Sequence, residues 1–222
     1  MRRQGEIMEH PVLIYIPAVD ELEIRVQEVT RYLGYGGNPA EGEDLKLIEK
    51  KIAEVKKIMA PKACYARYSF ENDEENSMLT FPYGETKSEV LSRHLSGCSE
   101  VFIFAATIGA VFDRSLQRTR FLSMSETAVM QAVGAAAVEA VCDSVNGMLE
   151  QKAAEESKYL RARFSPGYGD FELENQRGIF SVLNPAKNVG ITLMDTMIMA
   201  PEKSVTAVIG ISDKPGRNGY ET

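Results

Sequence analysis

The sequence predicts a single domain of the α+β class. Helical and strand-like segments are mixed along its 222 residues without the strict alternation that a doubly wound parallel sheet requires. The composition, 44% hydrophobic and 26% charged, is typical of a globular protein. We find no internal repeat of 20–50 residues and no low-complexity linker. These three observations favour one mixed domain.

Two helices are predicted near the N-terminus. The segment 21–33 is a short helix that stops at the glycine- and proline-rich stretch 34–39. The segment 43–59 is the clearer of the two, because Ile48, Ile52 and Val55 recur at helical spacing. Its charged residues indicate a solvated face.

Two strands and a third helix follow. Segments 63–70 and 78–82 are strand-like and are joined by the acidic turn 71–76. The sequence from Thr86 to Glu89 matches a capping box, which predicts the start of a short helix. His94 has no second histidine one turn away, so we interpret it as a packing or surface residue.

The middle of the chain predicts a buried strand and two helices. The uninterrupted apolar run 101–106 is typical of a central strand. Helices are expected over 109–121 and 125–150, the second with Ser125 as N-cap. The small side chains at 134–137 allow a close approach by another backbone.

Paired acids follow the patch of small residues. Glu139 and Asp143 are four residues apart, so they lie on one helical face. Two like charges there oppose the helix unless a positive group faces them.

The segment 161–171 is the most informative part of the sequence. It is rich in Arg, Tyr and Gly, and Pro166 excludes a regular helix. Glycines let the backbone approach a ligand, and arginine offers a fixed fork for a carboxylate or phosphate; a purely structural turn is the alternative. A helix over 176–183, strands over 197–200 and 205–211, and a loose tail beyond 212 complete the prediction.

Charge, cysteines and motifs exclude several functional classes. The formal net charge of −7 disfavours a general binder of nucleic acid or anionic membranes. Two histidines and three scattered cysteines favour neither a metal centre nor a disulfide framework, so we expect reduced thiols. Phosphate-binding, dinucleotide-binding and hydrolase motifs are missing. We find neither a secretory h-region nor an apolar run of membrane-spanning length, and therefore expect a cytoplasmic protein.

The loop and its neighbours resemble the activation domain of cobalamin-dependent methionine synthase. That family has an arginine followed by a Pro-Gly-Tyr turn, which stands here as Arg163-Phe164-Ser165-Pro166-Gly167-Tyr168. The helix segment 137–143 is similar to the family helix with paired acids, and 191–193 and 199–205 are similar to its closing strands. The resemblance covers roughly Thr86 to Ile211.

The resemblance implies both a fold and a function. The fold is a curved domain around a twisted antiparallel sheet, with 1–85 as a divergent N-terminal part, 86–212 as the activation-like region and 213–222 as a loose tail. The domain binds S-adenosylmethionine (AdoMet), the methyl donor for reductive methylation of oxidised cobalamin. The cobalamin belongs to a separate methionine synthase subunit, and a low-potential donor such as a flavodoxin or ferredoxin supplies the electron. The chain is then an accessory component without assigned turnover of its own.

The resemblance also implies a binding site. Arg163 is expected to hold the AdoMet carboxylate, and the two acids to supply negative charge near its amino or sulfonium group. The backbone of 166–169 is expected to receive the adenine edge, with the Tyr168 ring against the ligand or a docked corrin. No general base or metal ligand is needed. The expected AdoMet-binding residues are Arg163, Ser165, Pro166, Gly167, Tyr168, Glu139 and Asp143.

Two other functions remain open from the sequence. One is a non-catalytic docking module that stabilises a corrinoid protein without binding AdoMet. The other is an independent methyltransferase for a small molecule, although the glycine-rich loop after a first strand, which such enzymes use, has no counterpart here.

Overall fold

The computed structural model describes residues 11–121 and 123–215. A single 3-10 turn, Val19–Glu21, precedes the first helix. The helices are α1 Val26–Tyr32, α2 Gly42–Ile58, α3 Glu89–His94, α4 Ala110–Arg120, α5 Met124–Glu155, α6 Asn175–Leu183 and α7 Pro185–Val189. The strands are β1 Leu13–Tyr15, β2 Lys62–Ser69, β3 Glu71–Asp73, β4 Met78–Phe81, β5 Gly84–Lys87, β6 Cys98–Thr107, β7 Tyr159–Leu160, β8 Thr192–Leu193, β9 Met199–Ala200 and β10 Ser204–Ser212.

A curled antiparallel sheet of five strands forms the centre of the molecule, in the order β1-β2-β6-β10-β7. Strand β6 lies in the middle and pairs with β2 on one side and β10 on the other. The prediction of a buried central strand over 101–106 is therefore confirmed, as is the α+β class. Two smaller antiparallel units, β3-β4-β5 and β8-β9, lie outside this sheet.

Each face of the sheet is covered by a separate hydrophobic cluster. On one face, α1, α2, α4 and α5 pack against alternate strand residues such as Phe102 and Phe104. On the other face, α3, α6, α7 and β4 pack against the intervening residues, such as Val101 and Ile103. This alternation follows from the two-residue period of a strand buried on both sides.

Helix α5 packs on one face of the sheet and begins earlier than predicted. Its N-cap is Ser123, whose hydroxyl accepts a hydrogen bond from the Glu126 amide, so Ser125 lies within the first turn. Gly134 faces the Phe112 ring, rather than another backbone; an added Cβ would lie 2.2 Å from Phe112 Cζ. Among the described residues, this one helix is apolar and long enough to cross a membrane, and 61% of its most apolar window is buried in the protein.

The region from 71 to 89 differs most from the prediction. The acidic segment contributes β3 as well as the turn, and β3 pairs with β4. Thr86 belongs to β5 and pairs with Leu79, so it is not a helix cap. The cap of α3 is Ser88, whose hydroxyl accepts from the Leu91 amide. The capping-box prediction is wrong because strand pairing determines the conformation of Thr86.

Other differences are small. The first predicted helix is shorter, since residues 22–25 are not helical, and the strand predicted at 197–200 is reduced to β9. His94 packs against Phe164 and its ring hydrogen-bonds the Ala162 carbonyl, as expected of a packing histidine. The three cysteines are free, and burial raises the pKa of Cys64 to about 12. The predicted tail lies partly outside the described residues.

Candidate functional site

The segment after α5 runs antiparallel to β10 and covers only part of its edge. Strand β7 pairs with the end of β10, and the Arg161 amide donates to the Gly210 carbonyl. Phe164 and Val208 then exchange two hydrogen bonds of 2.9 Å. After Phe164 the chain turns away, so the part of β10 before Val208 has no strand beside this edge in the described structure.

Arg163 points from this segment to the paired acids of α5. Its Nη2 lies 2.6 Å from Glu139 Oε2 and its Nη1 lies 2.8 Å from Asp143 Oδ1. The positive group that the like-charged pair required is thus present. We call Arg163, Glu139 and Asp143 the Arg163 cluster. Its one guanidinium and two carboxylates give it a net charge of −1.

The environment of Arg163 keeps it charged and keeps part of it available. Burial alone lowers the pKa of its guanidinium, but hydrogen bonds to Asp143 and Glu139 outweigh burial, so the pKa is raised above its ordinary value. Its side chain is 24% exposed. Two of the five N–H groups of the guanidinium are used by the acids. The remaining donors can serve a ligand.

The turn after Phe164 is held by its own hydrogen bonds. The Gly167 amide donates to the Phe171 carbonyl over 2.7 Å, and the Tyr168 amide donates to Ser165. Gly167 and Gly169 have φ angles of +93° and +57°, a region that favours glycine. These two amides, of Gly167 and Tyr168, are therefore already used, although the adenine edge was expected to meet this backbone.

Asp170 fixes the far end of the turn to α3. Its carboxylate accepts hydrogen bonds from the Ser88 hydroxyl and from the amides of Glu89 and Val90. The hydrogen bond to Ser88 and those to the two amides lower the pKa of Asp170. The turn is thus attached to α5, β10 and α3, and these contacts restrict its conformation.

A cavity of about 490 Å³ lies between this turn and the open edge of β10. Its volume is within the range of small-molecule sites. Of the predicted site residues, Arg163, Ser165, Pro166, Tyr168 and Glu139 line it, whereas Asp143 reaches it only through Arg163 and Gly167 is not in its wall. The complete lining is Glu139, Arg163, Phe164, Ser165, Pro166, Tyr168, Gln176, Met199, Ser204, Val205 and Thr206.

Sequence reasoning missed the other side of this cavity. Gln176, Met199 and Thr206 line it from α6, β9 and β10. A polar Gln or Thr in a predicted helix or strand gives no local signal, except that Thr206 stands within an otherwise apolar strand. Among the described residues no group of three His, Cys, Asp or Glu side chains is placed to hold a metal ion. The arrangement is suited to binding a small, partly cationic molecule.

Comparison with known families finds one that matches this part of the chain. Residues 131–216 match the family model described as the activation domain of vitamin B12 dependent methionine synthase. The predicted resemblance is confirmed. The matched region contains most of α5, the Arg163 cluster, the turn and β10, so it includes every predicted site residue. A search of curated proteins finds no match.

A solved structure extends the likeness to nearly the whole chain. It is a crystal structure of the MetH reactivation domain bound to AdoHcy, and it is 14% identical to this chain with a TM-score of 0.70. The alignment covers 96% of this chain and 82% of that one. At this identity the match establishes a shared fold with the methionine synthase reactivation domain, including the N-terminal part that the family model does not reach.

Proposed function

We propose that this protein binds AdoMet in the cavity beside Arg163 and serves the reductive reactivation of a cobalamin-dependent methionine synthase. The cobalamin is carried by a separate subunit, and a low-potential flavodoxin or ferredoxin supplies the electron. AdoMet provides the methyl group and leaves as AdoHcy, while the partner's cobalt accepts the methyl group. The solved neighbour is bound to AdoHcy, which supports this choice of ligand.

The observation that carries the proposal is the net charge of the Arg163 cluster at the cavity wall. AdoMet has a positive sulfonium, a positive amino group and a negative carboxylate, so its net charge is +1 and complements the −1 of the cluster. The unused N–H groups of Arg163 suit the carboxylate of the ligand. Glu139 lines the cavity and suits its amino or sulfonium group.

The part of the reaction assigned to this chain is binding and orientation. The attached turn holds Ser165, Pro166 and Tyr168 at the cavity wall without further rearrangement. The Tyr168 ring is 69% exposed, so one side is free to contact the ligand or a docked corrin ring. No side chain is required to activate the sulfonium, because its positive charge already makes the methyl group transferable.

The experiment that tests the proposal is reactivation of methionine synthase oxidised to the cob(II)alamin form. The enzyme used lacks its own activation domain, and the assay contains reduced flavodoxin and AdoMet. Addition of this protein is expected to restore turnover, and addition of the Arg163→Ala variant is not. Equal recovery with and without the protein contradicts the proposal.

A second candidate is a docking module that stabilises a corrinoid protein without binding AdoMet. It is favoured by apolar side chains beside the cavity: Met194 and Ile198 are 48% and 56% exposed, next to Met199 of the cavity wall. Calorimetry separates the two functions. Saturable heat with AdoMet supports the first, whereas no heat at millimolar AdoMet with retained binding to the cobalamin subunit supports the second.

A further inference from the structure

Two buried polar atoms in the cavity wall have no partner. Gln176 Oε1 and Thr206 Oγ1 are shielded from solvent and accept or donate no hydrogen bond within the described structure. The two residues are only 6% and 2% exposed. Leaving a buried oxygen without a partner is costly, and native proteins leave few such atoms without a water, an ion or a functional role.

The two residues reach one cavity from two separate elements. Gln176 lies in the first turn of α6 and Thr206 lies in β10, and both line the cavity that contains Arg163. Five unpartnered buried side-chain atoms are present in the described residues, and the residues of the other three, Tyr83, Asp113 and Asn146, do not line this cavity.

The backbone of Thr206 adds to this polar wall. In an antiparallel ladder, alternate residues direct their N–H and C=O groups to the same edge. Val208 uses that edge to pair with Phe164, so the N–H and C=O of Thr206 lie on the same edge, where no described strand continues. The cavity therefore contains a neutral polar region in addition to the charged Arg163 cluster.

We infer that Gln176 recognises the adenine ring of the ligand through the ring's N6–N7 edge and thereby determines specificity for the base. The inference rests on the proposed function and deepens it. A Gln side chain presents an acceptor and a donor in one plane, which match the N6 amino group and the N7 atom of adenine. Thr206 supplies the neighbouring hydroxyl and backbone groups.

Among the lining side chains, that of Gln176 alone carries a donor and an acceptor in one planar group. The charged groups of AdoMet match the Arg163 cluster, which leaves the ribose diol and the base. Of these two, only the base presents a donor and an acceptor in one plane, as the Gln amide does. The amides of Gly167 and Tyr168 are used within the turn and do not offer a competing edge. The rings of Phe164 and Tyr168 line the cavity and provide apolar surface for a purine.

The test compares AdoHcy with S-inosylhomocysteine by calorimetry. The inosine analogue replaces the N6 donor by an oxygen acceptor, so a Gln amide loses one of its two hydrogen bonds. The wild type is expected to bind AdoHcy about tenfold more tightly than the analogue. Gln176→Met is expected to weaken AdoHcy binding about tenfold and to remove the preference. Gln117→Met, on the exposed side of α4, is the matched control and is expected to change neither.

The outcomes distinguish this inference from the proposed function. Equal affinity of the wild type for both ligands overturns the inference and leaves AdoMet binding intact, and this arm needs no variant to fold. An unchanged preference in a folded Gln176→Met protein also overturns it. Free adenosine is tested as a third ligand. If the protein binds adenosine but not AdoMet, the proposed function is excluded. If Gln176→Met then also loses the preference for adenosine over inosine, the contact between Gln176 and the purine is supported. Binding of none of these ligands overturns both.

Discussion

Two ion clusters anchor the sheet to the region of α5, and they differ in charge balance and surroundings. In the Arg163 cluster, one guanidinium faces two carboxylates of α5 at the wall of a cavity. In the second, the Arg67 cluster, Arg67 pairs with Glu100 of β6 and with Glu156 at the end of α5. Lys158 also pairs with Glu100, at 2.7 Å, so two positive and two negative groups balance.

Unbalanced charge beside a cavity is more informative about ligand binding than the number of ion pairs. Both clusters have hydrogen-bonded pairs of 2.6–2.8 Å. The Arg67 cluster is complete, and none of its residues lines the cavity. Among the described residues, nothing compensates one negative charge of the Arg163 cluster, and the acids use only two of its guanidinium N–H groups. The Arg163 cluster is therefore the one that we expect to bind a ligand, whereas the Arg67 cluster is expected to contribute only to stability.

The largest difference is expected from removal of the two arginines. Arg163→Ala is expected to abolish AdoMet binding in calorimetry, because it removes the carboxylate contact and leaves Glu139 and Asp143 unpaired. Arg67→Ala is expected to bind AdoMet normally but to lose about 1–3 kcal/mol of unfolding free energy, since Glu100 keeps only one partner. Arg163→Lys keeps the positive charge but loses the planar pair of N–H donors, so it separates the contribution of the charge from that of the paired hydrogen bonds. Loss of AdoMet binding in Arg67→Ala would contradict the distinction.

A smaller difference is expected from neutralising one acid in each cluster. Glu139→Gln is expected to weaken AdoMet binding about tenfold and AdoHcy binding less, because only AdoMet carries the sulfonium charge. The matched variant Glu100→Gln is expected to leave both affinities unchanged. The affinities of AdoMet and AdoHcy, measured by titration at two salt concentrations, test whether Glu139 acts on the sulfonium charge. An equal loss for AdoMet and AdoHcy in Glu139→Gln shows that the carboxylate does not act through the sulfonium.

The attachment of the turn is expected to contribute less than either charge. Asp170→Asn replaces an ionised acceptor of the Ser88 hydroxyl and the α3 amides, so unfolding free energy is expected to fall by about 1 kcal/mol. AdoMet affinity is expected to fall a few-fold, because the turn loses part of its preorganisation. Asp73→Asn, which affects only a local turn with Asn76, is the control. Identical AdoMet affinity in Asp170→Asn and wild type contradicts the preorganisation argument.

The smallest expected effect is a pH dependence of the Arg67 cluster. Burial raises the pKa of Glu100, but hydrogen bonds to Arg67 and Lys158 outweigh burial and hold the pKa below its ordinary value of 4.5. The carboxylate therefore contributes stability above pH 4.5, and that contribution is lost as the pH falls through its folded pKa. The unfolding free energies of wild type and Glu100→Gln, measured with urea, are expected to converge as the pH is lowered below 4.5. A difference in unfolding free energy that stays constant with pH would show that Glu100 does not contribute through its charge.

The sequence predicts the parts of the site that depend on local pattern. Glu139 and Asp143 share a helical face by their spacing, and the Arg163 turn is recognisable from its Pro and Gly residues. That Arg163 meets these acids follows from the register of 159–164 on β10, which is a long-range pairing. The family resemblance implied this meeting, and the residue pattern alone did not.

The residues on the other side of the cavity could not be predicted either, because their role also depends on contacts between distant parts of the chain. Gln176 and Thr206 become informative only because burial leaves their oxygens without partners, and burial is a property of the assembled fold. The errors at Thr86 and Ser125 are related. Local capping patterns occur at both positions, but the β4–β5 pairing and the alternative cap Ser123 determine the outcome.

Hydrogen–deuterium exchange with saturating AdoMet locates the bound ligand on the protein. If the ligand occupies the cavity between the Arg163 turn and the open edge of β10, amide exchange slows in segments 161–170 and 199–206. Exchange around Arg67 and Glu156 then remains unchanged. Saturable AdoMet binding with protection elsewhere, and none in these two segments, contradicts the account.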